Sequence, residues 1–128
     1  MNLLLDTHAF IWMLEEPEKL SRKVIEAHQD AASALYVSVA SLWEIQIKIA
    51  SGKLEMDLPL TQVVREQLQG DRYLLLDIRA AHVLELDALP RLHGDPFDRV
   101  LIAQSRVENL PLVSSDGVFD KYPVELFW

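Results

Sequence analysis

The sequence predicts an α/β fold in which a mainly parallel sheet of roughly five strands is covered by helices on both faces. Two observations carry this. Short apolar runs, Leu3-Leu4-Leu5, Leu35-Tyr36-Val37, residues 73–76, Leu112-Val113 and Val124-Glu125-Leu126-Phe127, recur along the chain without polar alternation. Strands of that kind are buried on both sides, as in parallel sheets. Between them lie longer segments of helical period, most with a start or stop residue of their own, and alternation of the two implies a helix-covered sheet.

Taken in order, Asp6-Thr7 ends the first run as a strand entering a turn, and residues 10–14 read as a short helix stopped near Pro17. Ser21 is a good N-cap for a helix through about Gln29. Residues 40–48 are ambiguous. Trp43, Ile45, Ile47 and Ile49 alternate with polar residues at strand period, while Ala40, Trp43, Ile47 and Ala50 form a helical stripe. Length, and an end signal at Ser51-Gly52, favour helix. Leu58-Pro59 opens another, with Val63, Val64 and Leu68 inward, ending at Gly70. Residues 80–89 are helical and closed by Pro90, and Asp95-Pro96 pairs a capping acid with a proline at the first helical position of a helix reaching about Asn109.

The 128 residues suit one domain, 1–128, and a 50% apolar content can build a core without staples. Absence of cysteine excludes disulfides, thiol catalysis and cysteine-ligated zinc, and suits a reducing compartment. MNLLLDTHAF reads as strand and turn rather than as a signal peptide, and no apolar stretch approaches the length of a membrane span. A cytoplasmic location is expected. Twelve basic against twenty acidic residues give a net charge of −8, which argues against a simple nucleic-acid-binding module. It argues less against a nuclease, whose site carboxylates belong to that total and whose cations reverse its sign locally.

In doubly covered parallel sheets the ligand site lies beyond the carboxyl ends of the strands, which directs attention to four acids. Asp6 ends the first strand, where it could equally be a helix cap. Asp116 follows the fourth within Ser115-Asp116-Gly117, ordinary turn chemistry. Glu44 could form a capping box with Ser41 or an ion pair with Lys48. Ser38 is the more natural cap, which would leave Glu44 inside a helix among Leu42, Trp43 and Ile45, where a carboxylate needs a reason. Asp98 sits in the first turn of its helix, where the dipole favours acids, and Asp95 looks like the cap itself. As a set, two strand ends and two helix starts can converge on one cleft. Carboxylates so crowded repel unless a cation neutralises them, and an oxygen-rich site suits Mg²⁺ or Mn²⁺. Metal-assisted phosphodiester hydrolysis is the chemistry that follows.

Other chemistries fit poorly. His8, His28, His82 and His93 show no His-Glu-x-x-His spacing, and neither a nucleophile elbow nor a P-loop is present. His28 and His82 read as partly buried helix residues. Trp12, Trp43 and Trp128 read as core or interface, and Phe10, Trp12 and Leu14 mainly as core.

Four segments, Leu3-Leu4-Leu5-Asp6-Thr7-His8, Val37-Ser38-Val39-Ala40-Ser41-Leu42-Trp43-Glu44-Ile45, Asp95-Pro96-Phe97-Asp98-Arg99-Val100-Leu101-Ile102-Ala103-Gln104 and Leu112-Val113-Ser114-Ser115-Asp116, together resemble a PIN-domain nuclease of the VapC toxin type. The Asp-Pro-Phe-Asp-Arg element is the most specific of them. The resemblance implies a Rossmann-like α/β/α sandwich and a Mg²⁺- or Mn²⁺-dependent endoribonuclease whose acid quartet falls on Asp6, Glu44, Asp98 and Asp116. Asp6 and Asp116 are the expected direct ligands, with Asp98 close to the ion. Glu44 would ligate a second ion or position the attacking water. Asp95 fits a helix cap and could also reach the ligands' surroundings or a second metal. Arg99 and Lys48 are candidates for phosphate contact. The expected partners are an RNA substrate, a second copy of the chain and a cognate antitoxin that enters the active-site groove. Ser114 stands where many relatives carry threonine, which preserves a hydroxyl near the metal.

Two rival readings remain at this level. One is a phosphoacceptor receiver domain with Asp77 as acceptor, although receivers carry a pair of adjacent acids after the first strand and Asp6 is followed by Thr7. The other is a PIN-like fold kept only as a binding scaffold.

Overall fold

In the computed structural model, which describes residues 1–70, 72–92 and 94–128, five strands form one sheet in the order β3-β2-β1-β4-β5 with every pairing parallel. The strands are β1 (Asn2–Leu5), β2 (Ala34–Ser38), β3 (Tyr73–Leu76), β4 (Leu112–Val113) and β5 (Leu126–Phe127). The helices are α1 (Thr7–Glu15), α2 (Arg22–Gln29), α3 (Val39–Ala50), α4 (Leu60–Gln67), α5 (Ala80–Glu85) and α6 (Pro96–Glu108). His93, counted among the histidines above, lies outside the described residues.

β1 is the central strand, and Leu3, Leu4 and Leu5 are all buried. Successive side chains point to opposite faces. Leu3 and Leu5 therefore join Phe10, Val37, Ile45 and Val63 in one core, beneath α1 to α4. Leu4 joins Leu101, Ile102, Leu112 and Phe119 in the other, beneath α6. Among the described residues no helix is long and apolar enough to cross a membrane.

Several boundaries differ from the sequence expectation, each for an identifiable reason. The first helix starts at Thr7 rather than at residue 10, because Asp6 itself caps it, accepting the Ala9 N–H at 2.7 Å. The segment 80–89 is a short α5 followed by a 3-10 turn, Leu86–Ala88. The last strand pairs only over Leu126–Phe127, matching the two residues that β4 offers. Residues 40–48 are helical, and Ser38 is the cap of α3, accepting from the Ala40 N–H at 3.0 Å. The stripe Ala40-Trp43-Ile47-Ala50, however, faces the core only at Ala40. Trp43 is 59% and Ile47 46% exposed, while Ala40, Ser41, Glu44 and Ile45 are buried.

The strand order also excludes the receiver reading. Receivers follow the flavodoxin-like order 2-1-3-4-5, whereas this sheet runs 3-2-1-4-5. Asp77 follows an edge strand and is exposed, with its backbone carbonyl accepting from the Gln104 amide at 3.3 Å.

α5 is tied to α6 by a buried imidazole. The Arg79 N–H donates to His82 Nδ1 at 2.9 Å, so the ring proton sits on Nε2, which donates to Glu108 Oε1 at 2.9 Å; the Arg79 guanidinium reaches the same oxygen at 2.6 Å. His28 is half-buried as expected, while His82 is wholly buried. The hydrogen bond from His82, then the charge of Arg79, holds the Glu108 carboxyl below the ordinary glutamate range. A depressed acid adds stability above its unfolded pKa and loses it as pH falls through the folded one. Glu108→Ala should lower the unfolding free energy at pH 7 by about 1–3 kcal/mol, since it strands a buried N–H. The gap from wild type should narrow as pH falls below about 4, as the charge-dependent part of the contact is lost. Urea melts of both proteins across pH check it.

Candidate functional site

Chain direction sets the site. α6 ends just before β4 begins, so its first turn lies at the carboxyl end of the sheet, the edge from which Asp6, Ser38 and Asp116 also emerge. All four sequence-picked acids therefore start from elements that open on one edge.

Asp6 is 5% exposed. Its N–H donates to the Val113 carbonyl at 3.0 Å, continuing the β1–β4 ladder past the last paired residues. Its carboxylate caps α1 and accepts a hydrogen bond from the Ser114 side chain. Ser114 Oγ in turn accepts the Asp116 N–H at 3.0 Å. One hydroxyl thus couples the acid after β1 to the acid after β4. Burial pushes the Asp6 carboxyl up, and the charge of Asp116 adds to that; the Ser114 and Ala9 hydrogen bonds and nearby His8 oppose it. Asp116 is exposed and caps the 3-10 turn Gly117–Lys121 through the Val118 N–H at 3.0 Å.

Glu44 is also 5% exposed, on the inner face of α3. Both of its oxygens are engaged. The Thr7 hydroxyl donates to Oε1 at 2.8 Å, and Lys48 Nζ donates to Oε2 at 2.6 Å. Thr7 Oγ1 also lies 3.0 Å from Ser41 Oγ. Ser41 therefore does not form a capping box; it supports the threonine that holds Glu44. Because Thr7 follows Asp6 directly, α1 delivers one acid and the orienting group of another from adjacent positions.

Asp95 is the cap of α6, accepting the Phe97 and Asp98 N–H groups on Oδ1 at 2.9 and 3.1 Å. Asp98 is half-buried in the first turn that follows. α6 is fixed to α3 there by an edge-to-face contact of Phe97 on Trp43, ring centroids 5.2 Å apart. Arg99, a phosphate candidate in the sequence, is engaged by the neighbouring turn. Its guanidinium donates to the Pro90 carbonyl at 2.8 Å and the Leu86 carbonyl at 3.4 Å, bracing the 3-10 turn after α5.

Among the described residues no three histidine, aspartate or glutamate side chains are close enough to cage a metal by themselves. The donor set still fits a hard divalent cation. Mg²⁺ is held by one or two carboxylates and keeps several waters, and Asp6, disfavoured by burial and by the charge of Asp116, is a pair member that a cation would relieve. The sequence offered Thr7 only as the turn after Asp6, Ser41 only as a cap partner for Glu44 and His8 only as a histidine outside any zinc motif, not as parts of the site. The one signal that bore on them was their place beside or within the acidic motifs.

Three solved structures share the fold at low identity. The VapBC2 complex of Rickettsia felis bound to a promoter DNA fragment matches with a TM-score of 0.70 and 16% identity, covering 98% of this chain and 96% of that one. DNA-bound VapBC from Salmonella typhimurium matches with a TM-score of 0.71 at 16% identity and the same coverage. A toxin–antitoxin complex from Klebsiella pneumoniae matches with a TM-score of 0.66, again at 16% identity over 98% and 96%. Among curated proteins, none matches the sequence. The family model described as PIN domain matches residues 3–125, nearly the whole length, and the chain belongs to the PIN domain family.

Proposed function

We propose that residues 1–128 form a single PIN domain of the VapC type, the toxin of a toxin–antitoxin pair. In this reading it hydrolyses RNA phosphodiester bonds at a Mg²⁺ or Mn²⁺ site built from Asp6, Asp98, Asp116 and Glu44. One observation carries it. Asp6 is buried at the carboxyl edge of the sheet and joined through Ser114 to the segment bearing Asp116, with a second buried carboxylate, Glu44, one residue's reach away through Thr7. The matching solved structures support the toxin reading, since they are toxin–antitoxin complexes.

Asp6 and Asp116 would hold the ion, with Asp98 approaching from α6 and water completing the shell; Asp95 is engaged as a cap and stays outside the ligand set. When bound, the ion lowers the pKa of a coordinated water and stabilises charge on the phosphodiester. Glu44, already neutralised by Lys48, is better suited to orienting the attacking water than to binding a second ion. Lys48 uses one of its three N–H donors on Glu44 and keeps the others for a phosphate oxygen. A second copy of the chain and an antitoxin are the protein partners, in the cytoplasm. The outward Trp43 and Ile47 supply apolar surface of the kind that such contacts cover.

Asparagine caps a helix as well as aspartate does, so Asp6→Asn should fold. Loss of groups that only support a metal ligand costs about 10–100-fold, so Asp6→Asn or Asp98→Asn should reduce Mn²⁺-dependent RNA cleavage by more than about 100-fold. Full cleavage by either purified variant overturns the assignment. A scaffold without catalysis would bind Mn²⁺ by calorimetry and leave RNA intact.

The raised Asp6 pKa has a sign that melting curves can read. A carboxyl raised in the folded state makes the native protein hold its proton longer, so stability falls as pH climbs from the ordinary aspartate range through the raised value. Metal-free wild type should therefore lose stability relative to Asp6→Asn between acid and neutral pH. Mn²⁺ should raise the melting temperature of wild type at pH 7 and leave that of Asp6→Asn nearly unmoved.

Thr7→Val removes a donor from a buried carboxylate. It should cost about 1–3 kcal/mol in urea unfolding, and should lower the cleavage rate more than it weakens Mn²⁺ binding measured by calorimetry.

A further inference from the structure

Beside Glu44 a recess of about 450 Å³ opens between α1, the end of α3 and the chain that follows it. Thr7 and Lys48, the two groups that hold Glu44, form part of its wall, so it borders the proposed site directly. His8 and Trp12, one helical turn apart on α1, present a tilted ring pair with centroids 5.8 Å apart. Lys53 adds a second cation to that of Lys48.

We infer that this recess is a subsite for one nucleotide of a single-stranded RNA, placed next to the bond that is cut. The inference rests on the ribonuclease reading and extends it by naming where the strand is gripped. Small-ligand pockets span about 300–1,000 Å³, and this one falls within that range. Single strands are held by aromatic rings on which bases stack and by cations that track the phosphates, and the recess offers both on one wall. Acids line it as well: Glu16 is paired with Lys19 at 2.8 Å, Glu15 accepts the Asp57 N–H at 2.6 Å, and Glu55 makes no hydrogen bond among the described residues. Phosphate contact therefore falls to Lys48 and Lys53 individually rather than to the charge of the recess as a whole. Trp12 is also held in place, with Trp128 edge-on at 6.1 Å, so its ring is positioned before any ligand arrives.

The division of labour follows from these positions. Lys48 joins the two halves of the surface, with one N–H on Glu44 and the rest available to the phosphate that enters between recess and acids. His8 and Trp12 take the base, and Lys53 the phosphate on the far side of the same nucleotide.

The test uses the full chain in EDTA, so that neither metal binding nor hydrolysis enters the measurement. Amide and indole N–H shifts are followed by NMR as 5′-GMP, 5′-CMP and a 2′-O-methyl RNA hexamer of mixed sequence are added. The expected result is saturable shifts of the Trp12 indole and of amides around His8 and Lys53. Hexamer affinity should be at least tenfold weaker in the exposed double variant His8→Ala/Lys53→Ala, and unchanged in Lys23→Ala on α2. Shifts confined to other surfaces, or equal affinity for the double variant and wild type, overturn the subsite. Shifts at the recess from an arginine-rich peptide and not from nucleotides would assign it to a protein partner and also overturn it. RNA cleavage by wild type is scored separately with Mn²⁺. Cleavage with no binding at the recess removes the subsite alone, and binding at the recess without cleavage removes the nuclease reading alone.

Discussion

The structure turns on where β1 ends. Three leucines bury both faces of the sheet, and the next residue is an aspartate with 5% of its surface exposed. Its position is overdetermined. Its N–H continues the ladder to Val113, its carboxylate begins α1, and Ser114 donates to the same carboxylate. A charge so placed is costly, and burial raises its pKa. Proteins keep such strain where it serves a purpose, and a cation beside Asp6 and Asp116 would offset it. Three further parts of the proposed site are placed relative to this point, Thr7 by succession, Glu44 through Thr7 and Asp116 through Ser114, while Asp98 is brought in by α6.

How much of this was legible in the sequence depends on whether the deciding contact was local. Asp6 and Asp116 could be read as strand-end acids because an apolar run stops at or near each of them, and Asp95-Pro96 announced α6 through cap chemistry. The inner face of α3 was not legible in the same way. Periodicity offered the stripe through Trp43 and Ile47, yet the helix buries Ser41 and Glu44 instead. The reason is tertiary: Thr7, 37 residues earlier, supplies the hydrogen bond that makes a buried Glu44 tolerable. Sequence spacing did give Lys48 as an ion-pair partner, and that pair is present at 2.6 Å. The carbonyl contacts of Arg99 were hidden for the converse reason. The carbonyls that hold it belong to a turn whose position the sequence alone does not fix.

Net charge was the weakest guide. A total of −8 describes the whole surface, whereas an RNA strand meets local groups. Several acids are already answered, Glu16 by Lys19, Glu85 by Arg106 and Glu108 by Arg79 and His82. Surface pairs such as Glu16–Lys19 add little stability, and each cancels its own charge locally while leaving the total of −8 unchanged. Around α1 and the end of α3, Lys48, Lys53 and His8 stand among Glu15, Glu16 and Glu55. An acidic protein can therefore still offer individual cations beside its own carboxylates.

Strand order, rather than the number of acids, decides which of them act together. Asp77 follows an apolar run as Asp6 nearly does, and a one-dimensional reading treats them alike. In the sheet, β1 lies between β2 and β4, while β3 lies at the edge. A central strand end is flanked on both sides by neighbours that can bring a serine, a threonine-bearing helix or a second acid. An edge strand end has one neighbour and open solvent. Asp77 is accordingly exposed, whereas Asp6 is enclosed by Ser114 on the β4 side and by Thr7, held against Ser41 and Glu44, on the β2 side. The same order makes Lys48 more than a counterion. Lys48 holds one oxygen of the buried Glu44 and also forms a wall of the recess beside the site. A group arriving there with its own negative charge competes for that ammonium, so ligand binding in the recess and the hold on the Glu44 side chain are physically linked.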